Sequence, residues 1–136
     1  MQQSNYTNAL GLDIGDKRIG VARINSVARL PEPLVTLENS EAFASELQKI
    51  IEAESIDIIV VGLPRNMDGQ ETAQTKTTKD FVNNVIRPAV SAPIVFQDET
   101  LSSVEAQNYP EDEIKSKGLD AIAAAEILRY FTQAKP

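Results

Sequence analysis

Apolar side chains alternate with small or polar ones from Ala9 to Ile14 and again from Arg18 to Ile24, with the turn residues Gly15-Asp16-Lys17 between them. This alternation predicts two strands joined as a hairpin. Pro31 and Pro33 punctuate the chain before a short third strand, Leu34 to Leu37. The spacing then becomes helical: Phe43, Leu47, Ile50 and Ile51 share one face of a segment running from an N-cap at Ser40 to about Glu54. Ile58 to Val61 is continuously apolar, as in a central parallel strand buried on both faces, and the Gly/Pro/Asn-rich stretch Gly62 to Gly69 predicts a loop. A helix follows from Thr72 to Ile86, stopped by Pro88, then a strand from Ile94 to Gln97. Capping-box spacing in Ser102-Ser103-Val104-Glu105 predicts a short helix, and an alanine-rich helix runs from about Leu119 to Thr132. The pattern describes an α/β fold, a mixed five-stranded sheet flanked by helices, as one domain over residues 1–136.

Composition narrows the chemistry. The 136 residues include no cysteine and no histidine, which removes the usual ligands of zinc, copper, haem and iron–sulfur centres and excludes Ser-His-Asp and Cys-His nucleophilic catalysis. Acid–base or metal chemistry then falls to Asp, Glu, Lys and Tyr, and carboxylate oxygens select a hard cation, Mg²⁺ or Mn²⁺. The longest apolar run, Ile56 to Leu63, contains Asp57 and is far short of a membrane span, and Met1 to Asn8 is polar. A cytoplasmic protein without membrane contact is expected. A net charge of −7 disfavours indiscriminate binding to nucleic acid, yet Lys17, Arg18, Arg23 and Arg29 make the first quarter locally basic.

Three carboxylates stand where carboxylates are costly or well placed. Alternation in the first strand puts Asp13 on the face of Ala9, Gly11 and Gly15, opposite Leu10, Leu12 and Ile14. A carboxylate there needs a partner or a metal, although a hairpin-end Asp that hydrogen-bonds the turn fits equally. Glu99 lies at the carboxyl end of its strand, where open α/β sheets place their sites, but a solvated strand end before Ser102 is the commoner explanation of such a residue. Asp120 begins the last helix in line with Ala123, Ala124, Ile127 and Phe131, a position equally suited to a helix cap. If the first strand, a neighbouring parallel strand carrying Glu99 and the last helix converge, the three repel one another and a divalent cation relieves the repulsion. Lys17 and Arg18 beside the turn, Arg65 in the loop, and Asn66 with the start of the Thr72 helix are candidate phosphate contacts; ordinary solvated charge is the alternative.

The same residues carry a resemblance. Gly11-Leu12-Asp13-Ile14-Gly15-Asp16-Lys17-Arg18-Ile19-Gly20-Val21-Ala22 resembles the opening signature of the YqgF (RuvX) family. The blocks Val61 to Gly69, Asp98-Glu99-Thr100-Leu101-Ser102-Ser103-Val104-Glu105-Ala106 and Asp120-Ala121-Ile122-Ala123-Ala124-Ala125-Glu126-Ile127-Leu128 resemble it in order, over nearly the whole chain. The resemblance implies a ribonuclease H-like fold, likeness to the junction resolvase RuvC, and a role in maturing the 5′ end of pre-16S rRNA. Asp13, Glu99 and Asp120 match the family's acidic positions as catalytic and metal-holding residues, implying two Mg²⁺ or Mn²⁺ ions and products with 5′-phosphate and 3′-hydroxyl ends. The chain departs from the family at Thr100, where Arg is common, and in a short segment from Gln107 to Gly118 that sets Lys115 and Lys117 against Glu111, Asp112 and Glu113. Expected partners are pre-16S rRNA, the small-subunit precursor or branched DNA, with the protein a monomer or homodimer. The competing readings are a junction-resolving DNA endonuclease, a non-catalytic RNA-binding assembly module and a nucleotide-binding fragment resembling the first phosphate loop of actin-like ATPases.

Overall fold

The computed structural model describes residues 6–100 and 109–133. Strands β1 (Asn8–Ile14), β2 (Arg18–Asn25) and β3 (Glu32–Glu38) are followed by α1 (Phe43–Ala53), β4 (Ile58–Arg65), α2 (Ala73–Phe81), β5 (Ile94–Thr100), α3 (Glu111–Lys117) and α4 (Leu119–Gln133). The sheet order is β3-β2-β1-β4-β5; β1, β2 and β3 pair antiparallel, whereas β1–β4 and β4–β5 are parallel. The predicted mixed five-stranded sheet flanked by helices is therefore present.

The alternation in β1 divides the core as its sequence requires. Leu10 and Leu12 are fully buried with Phe43 and Leu47 of α1 and with Val82 and Ile86 beyond α2, while Ala9 joins Ala124, Leu128 and Phe131 of α4 on the other face. Asp13 consequently faces α4.

Four local expectations are corrected. Helix α1 starts at Phe43 with Ala42 at its cap position; Ser40 instead forms the preceding turn, its Oγ accepting from the Ala42 N–H and its carbonyl from the Phe43 N–H. Strand β4 runs on to Arg65, through the predicted loop, because β5 pairs with it up to Arg65↔Thr100. Pro64 is tolerated there because the β1 ladder ends at Leu12↔Val61, so its missing N–H removes no bond to β1. The helical segment after Thr72 loosens and then tightens at its end, passing from α2 through a π turn at Val82–Ile86 to a 3-10 turn at Arg87–Ala89. Helix α3 was not foreseen in the segment before α4, although it has three acids in its first turn, two lysines in its last and Gly118 with φ +92° as its stop. The expected helix at Ser102 lies outside the described residues.

A candidate active site at the carboxyl edge of the sheet

The hairpin turn, the ends of β1, β4 and β5, and the start of α4 meet at one edge. Asp13 pairs across the hairpin with Gly20, and a Cβ on Gly20 would lie 1.7 Å from the carbonyl oxygen of Asp120. Only a residue without a side chain lets the first turn of α4 rest on β2 beside Asp13. Gly118 and Thr36 seat the same corner: the Thr36 hydroxyl donates to the Lys117 carbonyl at 2.7 Å, two residues before the helix begins.

Glu99 reaches the group from β5. The sequence suggests that the strand carrying Glu99 neighbours the first strand; instead β4 lies between β1 and β5. Gly62 makes up the difference: a Cβ there would lie 2.6 Å from Glu99 Oε1 and 2.4 Å from Ile127 Cδ1, so the carboxylate lies over the backbone of β4. Gly62 follows Val61, the partner of Leu12, just as Asp13 follows Leu12.

The electrostatics link the three residues in sequence. Burial, and then the charge of Asp120, push Asp13 up from 3.8 to about 6. Burial, and then the charge of Asp13, push Glu99 up from 4.5 to about 7. Asp13 is the middle member, repelled from both sides. Asp120 has a counter-charge of its own, because Arg18 Nε donates to its Oδ2 at 3.0 Å. Among the described residues no three Asp, Glu, His or Cys side chains are drawn together as a ready cage for one ion. The donor set nevertheless fits a hard divalent cation, since all donors are carboxylate oxygens and a positive ion would reverse the cost that raises Asp13 and Glu99.

The candidate phosphate contacts divide. Lys17 is exposed at the turn tip, held there by its own carbonyl accepting from the Asn39 N–H at 2.9 Å, while Asn39 Nδ2 donates to the Gly15 carbonyl. Asn39 thus fixes the hairpin turn from β3's far end, a role that no local motif around it signals. Arg18 holds Asp120. Arg65 is occupied: Nε donates to Asp98 Oδ1 at 2.9 Å and Nη1 to the Gly69 carbonyl at 3.4 Å, with Glu71 at 3.8 Å from Nη2. Asn66 is turned into its own loop, its Oδ1 accepting from the Asp68 and Gln70 N–H groups and its Nδ2 donating to Gln70 Oε1. At the start of α2 a capping box between Thr72 and Thr75 takes up two backbone donors. Arg65, Asn66 and Thr72 therefore build the β4–α2 loop before they offer anything to a ligand. Two clefts, of about 630 and 480 Å³, open elsewhere on the molecule and contain none of the three carboxylates. No helix among the described residues is long and apolar enough to cross a membrane.

A model of the RuvX family, described as Holliday junction resolvase, matches residues 7–134. A protein of Picosynechococcus sp. named "Putative pre-16S rRNA nuclease" is 40% identical over 134 residues, covering 93% of this chain and 92% of the relative. One of the same name from Ruegeria pomeroyi is 39% identical over 131 residues, covering 91% and 84%. Among solved structures, T. thermophilus RuvC in complex with Holliday junction substrate matches with a TM-score of 0.59 at 9% identity, over 90% of this chain and 91% of that one. Fowlpox virus resolvase with its substrate Holliday junction DNA matches with a TM-score of 0.55 at 11% identity, over 93% and 96%. These likenesses show a ribonuclease H-like fold.

Proposed function

The chain belongs to the RuvX family, and from that premise we propose that it is a divalent-cation-dependent nuclease that matures the 5′ end of pre-16S rRNA. The observation that carries this reading is the convergence at the carboxyl edge of the parallel strands, where Gly20, the partner of Asp13, admits the backbone of Asp120 and Gly62 admits the Glu99 carboxylate. Asp13, Glu99 and Asp120 are the residues to hold Mg²⁺ or Mn²⁺. When bound, such a cation polarises a phosphoryl oxygen and lowers the pKa of water.

The protein's own residues do the rest. Asp13 and Glu99, raised to about 6 and about 7, exchange protons near neutrality in the free protein and give them up when a cation binds. Lys17 at the turn tip and Arg18 just after it are the cations to grip the phosphates on either side of the scissile bond, since both side chains are exposed at the hairpin that carries Asp13. The oxygen of water bonds to phosphorus as the P–O3′ bond breaks, and the departing 3′ oxygen takes a proton, leaving 5′-phosphate and 3′-hydroxyl ends. With a net charge of −7, the protein grips substrate locally, and a small-subunit precursor that presents the RNA compensates for the missing general attraction. The reading places the protein in the cytoplasm.

A second substrate is favoured by the description of the family model, a Holliday junction. Symmetrical cutting of a four-way junction takes two sites, hence a homodimer, whereas a single RNA cut takes a monomer. The test incubates the protein with a labelled pre-16S rRNA 5′ fragment and with a four-way DNA junction, with Mg²⁺, Mn²⁺ or EDTA. The expected result is cation-dependent cleavage of the RNA, lowered in Asp13→Asn by at least about a hundredfold, the upper end of what loss of an outer-shell partner costs a metal site. Cleavage of the junction alone reassigns the substrate; RNA binding with no cleavage under any cation leaves an assembly module.

A further inference from the structure

Arg18 is anchored through its backbone and paired with one carboxylate through its side chain. Its carbonyl accepts from the Gly15 N–H at 3.0 Å and closes the hairpin turn, so its backbone is fixed while its side chain is 63% exposed. The guanidinium is held on Asp120, 102 residues away in the chain, at the first turn of α4. Asp120 is the charge that raises Asp13.

We infer that Arg18 is a latch that couples cation loading to nucleic-acid binding: without a cation it holds Asp120, and when a cation takes Asp120 the guanidinium turns to a backbone phosphate. The inference rests on the reading of the three carboxylates as a cation site. A guanidinium fork fits a carboxylate and a phosphate equally well, so the exchange keeps its bonds. The pair is exposed, and exposed ion pairs are weak, so it opens readily. Arg65, the other arginine at this edge, is fixed by Asp98, Glu71 and the Gly69 carbonyl, so Arg18 is the arginine free to exchange among the described residues. Reciprocity then requires that cation tighten nucleic acid and nucleic acid tighten cation by the same factor.

The test uses Ca²⁺, which takes oxygen ligands and activates water poorly, in calorimetric titrations of wild type, Arg18→Ala and Lys17→Ala. It also measures the anisotropy of a fluorescent RNA oligonucleotide with and without Ca²⁺. Arg18→Ala is expected to bind Ca²⁺ about two- to fivefold more tightly, about 0.4–1 kcal/mol, because no guanidinium competes for Asp120. Lys17→Ala, which removes the adjacent charge, is expected to shift it by less than about twofold. Ca²⁺ tightens RNA binding in wild type and ceases to do so in Arg18→Ala, whereas Lys17→Ala weakens RNA equally with and without Ca²⁺. Without any cation, Asp120→Asn frees Arg18 and binds RNA more tightly than wild type. Ca²⁺ affinity unchanged in Arg18→Ala, or the wild-type enhancement of RNA binding retained there, overturns the latch alone. Absence of Ca²⁺ binding in both wild type and Arg18→Ala overturns the cation site and the latch with it.

Discussion

Replacing Asp13 by Asn removes the charge repelled from both sides, and the consequence for stability depends on pH in a calculable way. Asp13 titrates at about 6 in the folded chain against an ordinary 3.8, and Glu99 at about 7 against 4.5. A carboxyl group raised by folding contributes stability that is complete below its unfolded pKa and lost as pH rises through its folded pKa. For these two groups the loss runs from about pH 4 to about pH 7. At 1.36 kcal/mol per pH unit, Asp13 alone costs the cation-free protein up to about 3 kcal/mol at pH 8, part of it shared with Glu99. Asp13→Asn should therefore be more stable than wild type at pH 8 by about 1–3 kcal/mol, a rise in Tm of roughly 3–10 °C for a chain of this size. Near pH 3, below the unfolded pKa of 3.8, the two proteins should melt together. Cation narrows the gap: it stabilises wild type by about 1.4 kcal/mol at tenfold excess over Kd and about 2.7 kcal/mol at a hundredfold, and leaves the variant unmoved. Thermal melts followed by far-UV circular dichroism, at both pH values and with and without Mg²⁺, give every term. A variant less stable than wild type at pH 8 would refute the reasoning, because Asp13 would then be a hairpin residue stabilised by the hydrogen bonds its charge accepts.

Gly20→Ala drives a methyl into the Asp120 carbonyl, so α4 must shift from β2; a loss of about 1–3 kcal/mol in urea unfolding is expected, together with loss of the cation response. Glu126 is buried on α4, accepting from Tyr109 Oη at 2.7 Å and Arg129 Nε at 3.2 Å. Glu126→Ala should cost about 2–4 kcal/mol. It should also bring Tyr109, raised to about 12 by burial and this bond, back toward 10 in a spectrophotometric titration. Arg65→Ala should speed amide exchange across residues 66–72 before it changes RNA affinity, since its partners Asp98, Glu71 and Gly69 lie in and beside that loop.

The five strands and the faces of β1 were legible because side-chain alternation follows directly from the pleat, and Leu10 and Leu12 against Ala9 and Asp13 display it without ambiguity. The extents of β4 and β5 were hidden: Gly62 and Pro64 read as loop residues, and only pairing with β5 makes them strand. The acids and lysines of α3 read as opposing charges when their order, acids first and lysines last, was a helix signal. Asp13 and Asp120 were each traceable to a strand or helix position, but their nearness depends on Gly20, whose role is visible only once α4 is laid across it. The hold of Arg65 on Asp98 and of Arg18 on Asp120 spans 33 and 102 residues, which no local spacing encodes, whereas the bonds of Asn66 to Asp68 and Gln70 are local turn bonds.

The central claim is that Asp13, Glu99 and Asp120 hold a divalent cation, and anomalous diffraction from crystals grown with Mn²⁺ and a short RNA tests it most directly. The account predicts anomalous peaks at the carboxyl edge of the sheet with Asp13 in the coordination sphere and Arg18 moved from Asp120 to a phosphate. Density for the RNA with no peak within reach of Asp13, or a peak bound only by other residues, would contradict it.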